Sequence, residues 1–258
     1  MSAPRVERLT VYPVKGLDGV DLGESRVLEG GTLQYDREFA LFDSDGEVLN
    51  GKRTDRVHDL ETDFEPATRT LTVETPAGEQ RSFALEAAPR AAAEWLSDVF
   101  EVDLSLERDT DLGYVDRRSM GPSVISTATL EAVAGWFDGM TVAGARRRLR
   151  ANVEVSGVEP FWEDRFVGEG APAFEADGIR FDGVTPCGRC VVPARDPDTG
   201  DPLPEFRERF VRKREETFPA WADEAAFDHF YTLMLIASVP EADRGATLAV
   251  GDPVTTVE

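Results

Sequence analysis

Lysine is nearly missing from this chain: Lys15, Lys52 and Lys213 are the only three in 258 residues. Arginine therefore carries almost all the positive charge, and acid outweighs it to a formal net charge of −22. That balance opposes attraction to nucleic acid or to an anionic membrane surface, so neither is expected as a partner. Acid spread along a lysine-poor chain fits a salt-rich, halophilic cytoplasm in which self-repulsion is screened. Histidine is equally scarce. His58 and His229 stand far apart and lack the spacing of a zinc motif. No stretch approaches the ~20 apolar residues of a membrane span. The opening Met1-Ser-Ala-Pro-Arg-Val-Glu-Arg runs directly into a strand pattern rather than a signal-peptide core, so a cytoplasmic location is expected. A G-x-S-x-G elbow, a Walker loop and a Rossmann glycine fingerprint are also missing.

Cysteine occurs only twice, and both copies fall in Thr185-Pro-Cys-Gly-Arg-Cys-Val-Val-Pro-Ala-Arg-Asp-Pro-Asp-Thr-Gly200. Cys187 and Cys190 form a C-x-x-C pair. In a reducing compartment such a pair is more often metal-binding or redox-active than a structural disulfide. Four readings stand: a zinc site short of ligands, a dithiol, two buried thiols, or one thiolate bound to a metal. A dithiol wants the pair to open a helix, whereas Val191-Val192-Pro193 reads as strand.

The chain is long enough to bury a large core. Its first half reads as short strands between frequent turns: residues 5–14, 22–28, 39–42, then near 57–63, 70–75 and 82–86. This pattern predicts a barrel or sandwich. A helix follows Pro89, with Ala92, Trp95, Leu96, Val99 and Phe100 on one face. A second starts at Ser126 or Thr127 and carries Leu130, Val133, Ala134 and Phe137. Asp109–Gly121 and Phe161–Asp164 read as loops. Further on, a strand over 179–184, a helix over 204–214 and a buried strand over 231–238 are expected. Arg146–Val155 is the densest positive charge. Read as a strand, it turns Arg146, Arg148, Arg150 and Asn152 to one face, either a solvated basic edge or an anion site.

Four segments in order carry a family resemblance: Val11-Tyr-Pro-Val-Lys-Gly16, Tyr35-Asp-Arg-Glu-Phe39, Arg148-Leu-Arg-Ala-Asn-Val153 and Arg189-Cys-Val-Val-Pro-Ala-Arg-Asp-Pro-Asp-Thr-Gly200. Together they resemble the MOSC proteins with an N-terminal β-barrel region, the group containing the mitochondrial amidoxime-reducing component and its bacterial relatives. The resemblance implies a mainly β fold with peripheral helices (α+β). It implies two interlocked β-barrel-like regions, placed here at 1–112 and 113–258. It implies a molybdenum cofactor, a molybdopterin holding the metal together with one protein thiolate. Cys190 matches the metal-ligating cysteine. Lys15, Arg37, Arg150 and Asn152 match positions that bind the pterin and its phosphate. Gly16 matches a position that is often serine, and Ser126, Arg148, Cys187 and Gly188 complete the cofactor set. Asp196, with Asp198 behind it, stands near enough in sequence to relay protons; a turn-forming role is the alternative. The implied activity is reduction of N-hydroxylated substrates to the amine or amidine and water. Two cysteines are too few for a cluster of the chain's own, so electrons are expected from a separate ferredoxin or flavoprotein. A cofactor carrier or a sulfur carrier is the alternative function.

Overall fold

A computed structural model describes residues 2–258. β1 (Arg5–Val11) is followed by β2 (Val20–Leu22), β3 (Glu24–Arg26) and β4 (Phe39–Asp43). A 3-10 turn at Arg56–Asp59 stands where a strand start was expected, and leads into β5 (Glu61–Glu65), β6 (Thr70–Glu74) and β7 (Gln80–Ala84). α1 (Pro89–Phe100) opens on Pro89, whose fixed φ suits a first helical turn. It buries Ala92, Leu96 and Phe100, with Trp95 and Val99 partly covered, as its periodicity predicts. β8 (Leu104–Arg108) and β9 (Ser123–Ser126) flank a long irregular segment. α2 (Thr127–Ala134) is capped by Ser126, whose Oγ accepts the Thr129 N–H at 3.0 Å.

The arginine-rich stretch is not the expected strand. Thr141 caps α3 (Val142–Leu149), accepting the Gly144 N–H at 3.0 Å. Ala145 and Leu149 lie one turn apart on its buried face, and Arg146–Arg148 complement the negative helix end. Arg150 ends the helix in the left-handed region at φ 59, its N–H closing on Arg146 O at 2.9 Å. Strand resumes only at β10 (Val153–Ser156). Phe161–Asp164 leads into a 3-10 turn over Trp162–Phe166. β11 (Ala173–Ala176) and β12 (Ile179–Gly188) follow. Val192–Ala194 is a 3-10 turn rather than strand, as suits Pro193, which lacks a ladder donor. α4 (Phe206–Glu216), β13 (Thr232–Ser238), β14 (Thr247–Ala249) and β15 (Val254–Val257) complete the chain.

The protein is mainly β with peripheral helices. One eight-stranded sheet runs β15-β11-β12-β13-β9-β10-β1-β2. All its pairs are antiparallel except β9 with β10, which are joined through α2 and α3. Smaller sheets pair β4 with β8, β14 with β3, and β5-β6-β7. Three apolar cores result. One lies on the large sheet around Leu9, Phe166, Phe174 and Phe181. A second joins α2, α3 and α4 through Phe137, Leu149, Phe206 and Phe210. A third, around Phe39, Leu41, Leu85 and Leu96, fills the N-terminal half beneath α1. Val14 bridges to Phe39, so the exit of β1 leaves the large sheet and joins the N-terminal half.

Candidate functional site

That change of partner builds one wall of a cleft. Arg37 donates its N–H to Tyr12 O at 2.8 Å, Phe39 to Pro13 O at 2.9 Å, and Lys15 to Phe39 O at 2.8 Å. These three bonds set Lys15 and Gly16 beside Arg37. Gly16 takes φ +99, and a Cβ there would lie 2.9 Å from Leu49 O. The backbone of this chain therefore requires glycine where the family resemblance expects serine.

The opposite wall comes from the β12–β13 pair. Its register places Leu233 and Met234 against Cys187 alone, a β-bulge in which Met234 takes φ 74. The bulge turns Cys187 inward and releases the chain toward Cys190. Cys187 is buried, and its Sγ accepts from Arg189 Nη1 at 3.2 Å and from Arg117 Nη1 at 3.6 Å. Cys190 is half-buried, and its carbonyl accepts the Tyr231 hydroxyl at 3.0 Å.

Between the walls lies a cavity of about 360 Å³. Of the expected residues, Lys15, Gly16, Arg37, Arg150, Asn152, Cys187, Gly188 and Cys190 line it. Six cations reach it (Lys15, Arg37, Lys52, Arg117, Arg150 and Arg189) against two carboxylates, Asp36 and Asp116. In a chain of net charge −22 this is a strong local reversal of sign.

The cations are held and only partly neutralised, by Asp36 and Asp116. Tyr12 is a buried platform: Arg150 stacks on its ring at 4.0 Å and Arg37 at 5.1 Å. Burial pushes the Tyr12 hydroxyl up to about 12 despite both guanidiniums, so it stays a neutral phenol. Arg37 is paired with Asp36, which also accepts the Tyr12 N–H at 3.0 Å. Arg150 has no carboxylate partner among the described residues; it donates to Leu17 O at 2.7 Å. Burial, opposed by Tyr12 but reinforced by Arg37, pushes its pKa down. Burial and Arg150 also lower that of His58, which is neutral. Arg37 at φ 54 and Arg150 at φ 59 both sit in the left-handed region, at a backbone cost.

Asn152 lines the cavity, but its amide already binds the protein. Its Oδ1 accepts from the Ser123 N–H at 3.1 Å and Oγ at 3.0 Å, and its Nδ2 donates to Thr10 O at 3.2 Å. Three expected residues lie outside the lining. Ser126 is fully buried at the α2 cap, with its hydroxyl on Thr129. Arg148 turns away from the cavity, donating to Pro193 O at 3.3 Å and to Asp196 Oδ2 at 2.9 Å. Asp196 in turn accepts the Asp198 N–H at 3.0 Å. Arg148 and Asp196 thus fasten the Asp-Pro-Asp-Thr-Gly turn, and the structure does not bring Ser126, Arg148 or Asp196 into the lining with the other expected residues. Lys52, Asp116, Arg117 and Ser123 were not singled out from sequence. They lie in segments without periodicity or motif, and only the fold brings them here.

The basin is cationic and is closed on one side by a thiol. Residues 3–141 match the family described as the MOSC N-terminal beta barrel domain, and residues 122–255 match the MOSC domain. The chain belongs to the MOSC proteins. That domain is associated with molybdenum-cofactor-binding proteins, and its members are often molybdenum-cofactor-dependent enzymes. Among solved structures, the YuaD protein from Bacillus subtilis is similar at 14% identity, over 99% of this chain and 96% of that one, with a TM-score of 0.44. No curated protein matches the chain. Among the described residues, no helix is long and apolar enough to cross a membrane.

The residues present fit a pterin cofactor bearing a phosphate. Arg189 Nε and His58 Nε2 face this region buried and without a hydrogen-bond partner among the described residues, and buried polar groups seldom remain so. Among the described residues, no group of three or more His, Cys, Asp or Glu is placed to hold a metal. A metal on the Cys190 thiolate would take its other ligands from the cofactor itself.

Proposed function

We propose that this cleft binds the molybdenum cofactor, with Cys190 as the protein ligand to the metal, and that the protein reduces N-hydroxylated substrates with electrons from a separate donor. The supporting observation is the convergence of Lys15, Arg37 and Arg150, far apart in sequence, on one cavity with Cys190. The cofactor supplies the two-electron redox chemistry when bound. The chain's own residues do the rest. Arg37 and Arg150, fixed on Tyr12, give the anionic ligand two oriented forks. Lys15 supplies a compact charge for its phosphate. Tyr231, through the Cys190 carbonyl, fixes the backbone that carries the thiolate. His58, its pKa lowered by burial and by Arg150 and with one ring nitrogen free among the described residues, is the side chain we assign to pass a proton in the cavity.

The test is elemental analysis with fluorescence detection of oxidised pterin, on wild type and Cys190→Ala purified from a cofactor-competent host. Near-stoichiometric molybdenum and pterin in wild type, with metal lost in the variant, is the expected result. Zinc, or neither metal nor pterin, refutes the cofactor assignment. The loaded protein should then reduce an amidoxime or hydroxylamine with a chemical electron donor. Failure across a panel of such substrates would overturn the reductase reading in favour of a carrier.

A further inference from the structure

Two of the chain's three lysines meet over a single carboxylate at this cleft. Lys15 Nζ lies 2.6 Å from Asp116 Oδ1, and Lys52 Nζ lies 2.7 Å from Asp116 Oδ2. The three residues come from separate places: the exit of β1, the turn after Asn50, and the irregular segment between β8 and β9. Burial disfavours the Asp116 carboxylate, but hydrogen bonds and charge from both lysines outweigh it and hold its pKa well below the carboxylate range.

The segment that carries Asp116 is fastened at its ends by backbone contacts and in its middle by side chains. Gly113, at φ +76, packs so closely that a Cβ would lie 2.4 Å from Asp36 O. Tyr114 donates its N–H to Arg37 O at 2.8 Å, and Gly121 donates to Ala237 O at 2.7 Å. Between them, Asp116 to Ser119 are exposed. The contacts of the middle are the two lysine bridges, an exposed ion pair from Arg118 to Asp109 at 3.3 Å, the Met120 N–H on Arg117 O at 3.1 Å and the long Arg117 contact to Cys187.

A carboxylate that gives one oxygen to each of two ammonium groups presents what two oxygens of a phosphate monoester would present, with one charge fewer. We propose that Asp116 is a resident counter-ion, and that an anionic phosphate group of the ligand displaces it from Lys15 and Lys52. Lys52 is then a phosphate-binding residue alongside Lys15, and residues 115–119 swing away from the cleft as the ligand enters. A dianion satisfies two ammoniums better than a monoanion does. The released carboxylate would otherwise repel the phosphate, so binding and loop release are one event. In the empty protein the same contact keeps two lysines from repelling each other, and it sets a threshold that weakly charged anions do not pass.

The inference rests on the cofactor reading for the identity of the ligand, but its test needs no metal. Full-length protein from a host unable to make the cofactor is titrated with inorganic phosphate at pH 8 and fixed ionic strength, by calorimetry. Asp116→Asn should tighten binding about tenfold and Lys52→Met should weaken it about tenfold. In Asp116→Asn/Lys52→Met the gain from the first change should shrink to about twofold, since only the part that acts through Lys15 is left. Asp111→Asn removes the same charge from the same segment without touching either lysine, and should change affinity less than twofold. Equal tightening by Asp111→Asn, or unchanged affinity in Asp116→Asn, overturns the displacement. Molybdenum and pterin in the wild-type protein together with that second result would remove the displacement and leave the cofactor assignment standing. The expected phosphate series with no molybdenum would support the displacement and remove the cofactor assignment.

Discussion

Glu163 is the most perturbed acid of the fold and gives a prediction with a definite sign. It is 1% exposed. Its Oε2 accepts from Thr129 Oγ1 at 3.1 Å and from the Ser126 N–H at 3.3 Å, while Oε1 has no partner among the described residues. Its neighbour Asp164 pairs with Arg214, whose guanidinium is wholly buried among Phe161, Phe218 and Phe227. Burial first, then the charge of Asp164, push the Glu163 carboxyl up to about 8 from 4.5. The folded protein therefore keeps a proton that the unfolded chain releases. Stability from this group is complete below about pH 4.5, declines as pH rises toward 8, and is level above that. At 1.36 kcal/mol per pH unit the whole decline is on the order of 3–5 kcal/mol, the upper figure being a ceiling. Glu163→Gln removes the titration and keeps an acceptor for Thr129 and Ser126. The stability difference, variant minus wild type, should therefore rise by several kcal/mol between pH 5 and pH 8.5. Urea unfolding of both proteins at each pH, in the same salt, measures it, and titrating groups not coupled to Glu163 cancel in the difference, Asp164 being the coupled one. A difference that stays flat within about 0.5 kcal/mol across that range would refute a protonated Glu163.

Two further substitutions test how the cleft is held. Asn152→Ala strands the Ser123 N–H and hydroxyl and Thr10 O inside the sheet. The cost should be roughly 3–5 kcal/mol by denaturant titration of cofactor-free protein; a loss below 1 kcal/mol would show that its amide is not structural. Gly183→Ala places a Cβ 1.6 Å from Phe166 O, so β12 must shift near the strand end that carries Cys187. About 3 kcal/mol or more should be lost, seen as a clear drop in thermal midpoint, and an unchanged midpoint would refute the close contact.

Much of this was legible in sequence where one local signal dominated. α1 and α2 have a proline or serine at the start and an apolar repeat within; α1 is found as read, while α2 starts as read but ends at Ala134, short of Phe137. Arg146–Val155 misled because Leu149, Ala151, Val153 and Val155 alternate as a strand would. The deciding features lie elsewhere: a cap at Thr141, outside the stretch, and an arginine at Arg150 taking a left-handed conformation that glycine usually signals. The same limit applies to the cleft. Lys15, Arg37 and Cys190 stand in segments with a recognisable pattern. Lys52 and Asp116 stand in turns with none, and their meeting depends on the β4–β8 half closing against the large sheet. Arg148 and Asp196 show the reverse: close to the motif residues in sequence, they satisfy each other and face away from the cavity.

The place of β1 and β2 in the large sheet bears on how the chain can be divided. These strands come from the first 22 residues, yet they extend a sheet whose other members all lie beyond residue 122. A fragment beginning after β8 would leave β10 as a bare edge, with Val153 and Val155 stripped of the cover that Val6 and Leu9 provide. A fragment ending there would carry those apolar residues with nothing to pair against. The two sequence regions are therefore halves of one joint, fitted like a tongue in a groove. If cut between them, the pieces should aggregate apart and recover a binding cleft only when mixed, because Lys15 and Arg37 arrive with one piece and Arg150 and Cys190 with the other.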